Sequence, residues 1–296
     1  MEHYGAGSEN KNNVTAFVKY LCALFLFGLN GIVASHIALS SYEIVFLRTL
    51  IGSILLICVF FLSRGRFHWK KYKQDFIFVV LSGFAMGASW MFLYEAYAQI
   101  GVSIASLCYY CGPVIVMILS PLLFKEKLTS TKIIGFLVVL VGIFLVNGYG
   151  AVAADRFGLL CGLASAVMYA FMVIFNKKAA EITGLENSAL QLLIAFATVA
   201  VFVGFKQGFK IDIPTESLLS IFVLGLLNTG IGCYLYFSSI GEIPVQTVAI
   251  CGYLEPLSAV LFSVVFLNEK LMPLQVTGAA LIIGGAIFGE CVKMKR

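Results

Sequence analysis

Glu255 and Pro256 stand side by side in the apolar run 245–267, and they are the sharpest chemical feature of the sequence. A carboxylate deep in a bilayer costs roughly 2.5–3.5 kcal/mol on insertion scales, so such a group marks a functional site by default. Proline has no backbone N–H. Pro256 should therefore free the carbonyl of Gly252 and break the helix beside the acid. A titratable acid next to broken helix could hold an ammonium group or carry a proton. Packing of Glu255 against neighbouring helices is the weaker alternative. Pro113 repeats the break in the first half of the chain, but its neighbour is Gly112 rather than an acid.

Aromatic residues supply a second set. Gly83, Gly87, Trp90, Tyr94 and Tyr97 are spaced by four, three, four and three, which places them on one helical face. Tyr109, Tyr110, Tyr169, Tyr236 and Tyr253 extend the set into other apolar runs. Tyrosine combines an apolar body, a hydroxyl and a π-face that attracts cations. Interface belts and ordinary packing account for about half of these residues, Tyr97 first among them.

Isolated polar groups form a third set. Arg48 lies about five residues inside an apolar run that opens near Glu43. Snorkelling to the interface, or pairing with Glu43 or Glu95, ranks slightly ahead of a role in binding a carboxylate. Glu95 could be a gate charge, although a plain interface position suits it better. Asn30, Asn176, Gln191 and Asn228 could contact a solute or glue helices together, with Asn30 and Asn228 favoured for contact by depth. Cys108 and Cys111 form a CxxC spacing that has no second pair and no nearby His to suggest zinc. His36 and His68 read as loop residues. No phosphate-cradling glycine loop or nucleophile elbow is present in the sequence, and no metal site or cofactor is expected.

The elements that must position these groups are membrane helices. Of 296 residues, 60% are hydrophobic and 12% charged, against roughly 25% charged in soluble domains. Mean hydropathy is +0.98. Ten apolar runs can be placed at 14–34, 43–63, 75–97, 103–124, 131–149, 157–176, 187–205, 217–238, 245–267 and 273–290. Each suits a bilayer core of about 30 Å. Helix is the expected state, because lipid leaves backbone groups no other partner and the alternation of a barrel strand is missing. Most of the cysteines lie within these runs, where Cys is a small apolar packing residue. The net charge of +5 does not point to nucleic acid, since the basic residues sit in short loops.

With the N-terminus in the cytoplasm, 15 of the 20 basic residues fall on the inner side: Lys11, Lys19, Arg64, Arg66, Lys70, Lys71, Lys73, Lys125, Lys127, Lys132, Lys177, Lys178, Lys293, Lys295 and Arg296. Arg156, Lys206, Lys210 and Lys270 fall outside, and Arg48 lies within a run. This split places both termini inside. Residues 1–13 lack the basic start and cleavage site of a signal peptide, so the first run reads as retained.

The chain also repeats itself. At an offset of 143, Phe124-Lys125-Glu126-Lys127-Leu128 falls on Leu267-Asn268-Glu269-Lys270-Leu271. Without a gap, Gly87 falls on Gly230, Cys108 on Cys251, Tyr110 on Tyr253, Pro113 on Pro256, Gly135 on Gly278 and Gly142 on Gly285. Five runs per half is an odd number, so the second half must enter the membrane from the opposite side. Inverted repeats of this kind are typical of secondary transporters.

These residues resemble an EamA-type member of the drug/metabolite transporter superfamily. The likeness runs from residue 14 onward. It is strongest over Gly112-Pro113 to Glu126-Lys127-Leu128-Thr129 and Glu255-Pro256 to Glu269-Lys270-Leu271. Gly28-Leu29-Asn30 and Phe46-Leu47-Arg48 also fit, while Phe27 stands where the family often has Trp. The resemblance implies a ten-helix transporter of metabolites, often amino acids or related compounds.

The expectation is an all-α polytopic membrane protein of ten transmembrane helices in two inverted five-helix repeats. A cytoplasmic tail (1–13) precedes the first repeat (14–149), and the second repeat (157–290) precedes a short tail (291–296). The expected function is secondary transport of a small metabolite by alternating access, with amino-acid export favoured. The substrate would lie between the repeats, on Glu255, Tyr253, Asn30, Asn228, Trp90, Tyr94, Tyr109, Tyr110 and Tyr169. Glu255, Arg48 and Glu95 are the coupling or gating candidates, and Pro113 and Pro256 the helix breaks. Partners are a small-molecule substrate and the lipid bilayer of a bacterial cell membrane, with room for proton coupling and no oligomeric state fixed. The alternatives are transport of an organic cation such as choline or a quaternary amine, and a non-transporting scaffold. An intramembrane enzyme is disfavoured, because no second catalytic group accompanies Glu255.

Overall fold

The computed structural model describes residues 5–147, 155–267 and 272–291. Among these, every regular element is a helix. Eight are long and apolar enough to cross a bilayer: Val14–Ser35, Ser41–Leu62, Lys73–Gly101, Ile104–Phe124, Arg156–Lys178, Gly184–Lys206, Thr215–Phe237 and Val245–Phe266. Two shorter ones, Ser130–Asn147 and Pro273–Cys291, have 18 and 19 residues. At 1.5 Å per residue they rise about 27–29 Å, close to the thickness of a bilayer core. Ten spans result, one for each expected run. The first differs at its start, since its helix begins at Gly5 rather than near 14. Glu269, Lys270 and Leu271 of the second Glu-Lys-Leu lie outside the described residues.

Local chemistry sets the ends of the spans. Ser40 caps the second span, with its side chain accepting from the Glu43 N–H while Glu43 accepts from the Ser40 N–H at 2.8 Å. Asp155 caps the sixth by accepting from the Gly158 N–H at 3.1 Å. Spans three and four are joined without a loop. The chain reverses at Gly101, whose φ of +77° is open to glycine at little steric cost.

The inverted repeat is visible in the packing. Spans five and ten touch backbone to backbone. A Cβ on Gly135 would lie 2.6 Å from the Gly285 carbonyl oxygen, and one on Gly142 2.7 Å from that of Gly278. The offset of 143 converts one contact into the other, as a twofold axis requires. Likewise a Cβ on Gly87 would lie 2.8 Å from the Ala195 carbonyl, and one on Gly230 3.6 Å from the Gly52 Cα. Tyr110 and Tyr253, also mates by the offset, meet on the axis: the Tyr253 hydroxyl donates to the Tyr110 carbonyl at 2.7 Å. Small residues at helix contacts are what lipid favours, because burial of large side chains gains little there. Large apolar side chains such as Leu122, Phe144 and Phe205 point outward instead.

Candidate functional site

Two of the spans are broken partway along their length, at mated positions. In the ninth, helix Val245–Cys251 stops and helix Leu254–Leu267 resumes after Gly252 and Tyr253. In the fourth, helix ends at Tyr109 and restarts at Gly112, with Pro113 in the first turn. Pro256 also sits in a first turn, where a missing N–H costs little. One expectation is corrected here. The Gly252 carbonyl is not left free: it accepts from the Glu255 N–H at 3.2 Å. The break precedes the proline, and the tightened turn reuses that oxygen.

Two further irregularities flank these breaks. The first span is interrupted at Leu29, between helices Gly5–Gly28 and Asn30–Ser35. The eighth carries a π-helical stretch, Leu224–Ile231, a geometry frequent at functional sites. Asn228 lies on that stretch and donates to the Leu26 carbonyl at 3.0 Å and to Asn30 Oδ1 at 3.1 Å. Asn228 thereby fixes the side chain of Asn30.

Between the halves lies a cavity lined by Phe27, Asn30, Arg48, Met86, Trp90, Tyr109, Tyr169, Met172, Cys233, Tyr236, Phe237 and Glu255. It leaves about 70 Å³ to the centres of water-sized spheres. One water needs roughly 10–15 Å³ on that measure, so there is room for several waters or a small solute. Aromatic rings form much of the wall. Tyr109 and Tyr169 meet edge-on at 5.3 Å, and Phe27 and Tyr236 lie 5.9 Å apart.

The charged groups of the cavity are Glu255 and Arg48. Arg48 is 7% exposed, and its guanidinium carbon sits 4.7 Å from the centre of the Trp90 ring. Its Nε has no hydrogen-bond partner among the described residues. Snorkelling and pairing with Glu43 or Glu95 are corrected by this placement. Glu43 is engaged at the cap of its own helix. Glu95 accepts from Lys206 Nζ at 2.8 Å, from Gln99 at 3.1 Å and from the Tyr42 hydroxyl. Among the described residues no ion pair joins Arg48 to Glu255 either.

Of the residues named from sequence, the cavity brings together Glu255, Arg48, Asn30, Trp90, Tyr109 and Tyr169. Others stand behind its wall. Tyr253 is buried on the axis, Tyr110 rests against Tyr109 and Tyr253, and Asn228 holds Asn30. Tyr94 packs on Tyr97 at 5.2 Å. Glu95 joins the third span to the seventh through Lys206. Asn176 pairs with Asn187, which also donates to the Phe237 carbonyl at 3.2 Å. Gln191 is fully buried, and its amide has no partner among the described residues. Met86, Met172, Cys233 and Phe237 were not singled out from sequence. Helical spacing could have found them: Met86 is four before Trp90, Met172 three after Tyr169, and Cys233 three before Tyr236.

The model of the EamA-like transporter family matches residues 15–148 and again 156–289, the two repeats. Among curated proteins, the chain is 25% identical over 283 residues to the uncharacterized transporter YxxF of Bacillus subtilis (strain 168), covering 94% of this chain and 90% of that one. It is 26% identical over 302 residues to the uncharacterized transporter YetK of the same organism, covering 97% and 89%. A solved crystal structure superposes with a TM-score of 0.81 at 20% identity, covering 94% of this chain and 98% of the other. That likeness concerns the fold.

Proposed function

Since this chain belongs to the EamA-like transporter family, and so is an integral membrane transporter, we propose that it is a secondary transporter of a small metabolite working by alternating access. Amino acids or related compounds are the proposed substrates, and export the proposed direction. The observation that carries this reading is the cavity between the two repeats, holding Glu255 beside a broken helix. An acid there can face a substrate ammonium or carry a proton between the two sides. The chain sits in a bacterial cell membrane with both termini cytoplasmic, as its bacterial relatives and the distribution of basic residues support.

Alternating access requires contacts between repeats that can release. Several such contacts lie at the lysine-rich end, proposed as cytoplasmic. Tyr20 donates to the Val248 carbonyl at 2.7 Å, and Gln246 to Ser120 at 3.0 Å. Glu126 accepts from the backbone N–H groups of Val245 and Gln246 at 2.8 and 3.2 Å. The Glu-Lys-Leu segment of the first repeat thus clamps the start of the ninth span.

A second reading, transport of choline or another quaternary amine, draws support from Trp90, Tyr109 and Tyr169 around one acid. Flux measurements in proteoliposomes separate the two. Competition by neutral amino acids, with quaternary amines inert, is the expected result. The reverse pattern would replace the amino-acid reading with the cation reading. No flux of any metabolite would leave a scaffold.

A further inference from the structure

A guanidinium is an expensive group to bury in a membrane helix, and Arg48 is more than nine-tenths buried. Buried cations normally have an anionic partner, and both acids expected to serve are engaged elsewhere: Glu43 in its helix cap and Glu95 with Lys206, Gln99 and Tyr42. The acid that lines the cavity, Glu255, lies within electrostatic reach of Arg48 but makes no ion pair with it among the described residues. Trp90 stacks on the guanidinium at 4.7 Å, which orients the plane but neutralises nothing. Arg48 lines the cavity, and its Nε is buried without a hydrogen-bond partner among the described residues. The fork of an arginine matches the two oxygens of a carboxylate.

We propose that Arg48 on Trp90 is an anion site that takes the carboxylate of the transported solute, with Glu255 facing its ammonium across the cavity. This rests on the transport reading above and deepens it. The substrate class becomes a small zwitterion, and solutes carrying only an ammonium leave Arg48 buried and unpaired. Discrimination follows from the cost of that unmatched charge rather than from size.

Trp90 supplies the readout. The chain has two tryptophans, so Trp69→Phe leaves Trp90 as the sole indole. Purified protein carrying this substitution is titrated with the proteinogenic L-amino acids, with the matching amines that lack the carboxylate, with choline, and with sodium chloride. Saturable quenching or shift of Trp90 emission by at least one amino acid, with its decarboxylated amine at least tenfold weaker, is expected. Arg48→Lys keeps the charge but loses the fork. It should weaken the amino acid at least tenfold while the ligand-free melting temperature stays unchanged, which guards against misfolding.

Equal binding of amine and amino acid, or an Arg48→Lys affinity within twofold of the parent, would overturn the proposal. Chloride displacing the amino acid at equal concentration would identify an inorganic anion site and overturn it too. Failure of the transport reading looks different, because binding would then occur without flux of any solute in proteoliposomes. If amines alone were transported, transport would stand and the anion site would fall.

Discussion

Glu255 is the residue whose chemistry is hardest to replace. Glutamine keeps its size and hydrogen-bonding capacity but cannot bear charge or give up a proton. Glu255→Gln should fold, since no hydrogen bond or ion pair to its carboxylate is found among the described residues. Asn30 gives a second residue-level prediction. Its orientation depends on the amide of Asn228, 3.1 Å away, so Asn228→Ala should weaken binding of the transported solute several-fold without Asn228 lining the cavity. Ligand-dependent thermal shift measures this, because binding raises apparent stability by mass action. An unchanged shift would remove Asn228 from the support of the site. Arg48 shows where residue-level reading of a sequence stops. Its type and depth were legible, but its partner depends on which acids are already engaged. The Ser40–Glu43 engagement is a local cap three residues apart, but that of Lys206 with Glu95 is a tertiary fact across 111 positions.

At the scale of the helix, the contact between spans five and ten makes a sharp test. Gly284 and Gly285 are neighbours in helix Pro273–Cys291. A Cβ on Gly285 would meet the Gly135 carbonyl at 2.7 Å and Val139 at 2.9 Å, whereas one on Gly284 meets nothing within 4 Å. Gly285→Ala should therefore destabilise by about 1–3 kcal/mol through overpacking. Gly284→Ala should be neutral or slightly stabilising, since alanine is the better helix former. Thermal denaturation in detergent compares them, and equal effects would contradict the packing. The Glu126 clamp belongs to the same scale. A charged acceptor on two backbone N–H groups holds the start of the ninth span, and hydrogen bonds to charged groups contribute roughly 1.5–3 kcal/mol each. Glu126→Gln should accelerate labelling of Ile243→Cys at least several-fold, in a background stripped of native cysteines. An unchanged rate would show that the clamp does not hold that end closed.

The whole molecule was the most legible level. Lipid offers a backbone no partners, so apolar length alone dictates ten helices, and an odd number per repeat dictates the inversion. The offset of 143 named Tyr110 and Tyr253 as mates, but that they meet at the axis is visible only once the helices are assembled. The helix breaks were less legible. Proline marked their neighbourhood, but the turns end two residues before Pro113 and three before Pro256, because a proline fits the first turn of a helix. The cavity was partly legible: aromatic and charged lining stood out, whereas Met86, Met172 and Cys233 look like ordinary core residues until the helices are assembled.

On the proposed function, solute crosses the membrane through the cavity at Glu255. The direct test is flux of the responding metabolite in proteoliposomes, with wild type and Glu255→Gln reconstituted at equal density and matched melting temperature. Saturable wild-type flux and at least a tenfold loss in the variant are expected; flux at the wild-type rate in the folded variant would rule out passage at Glu255.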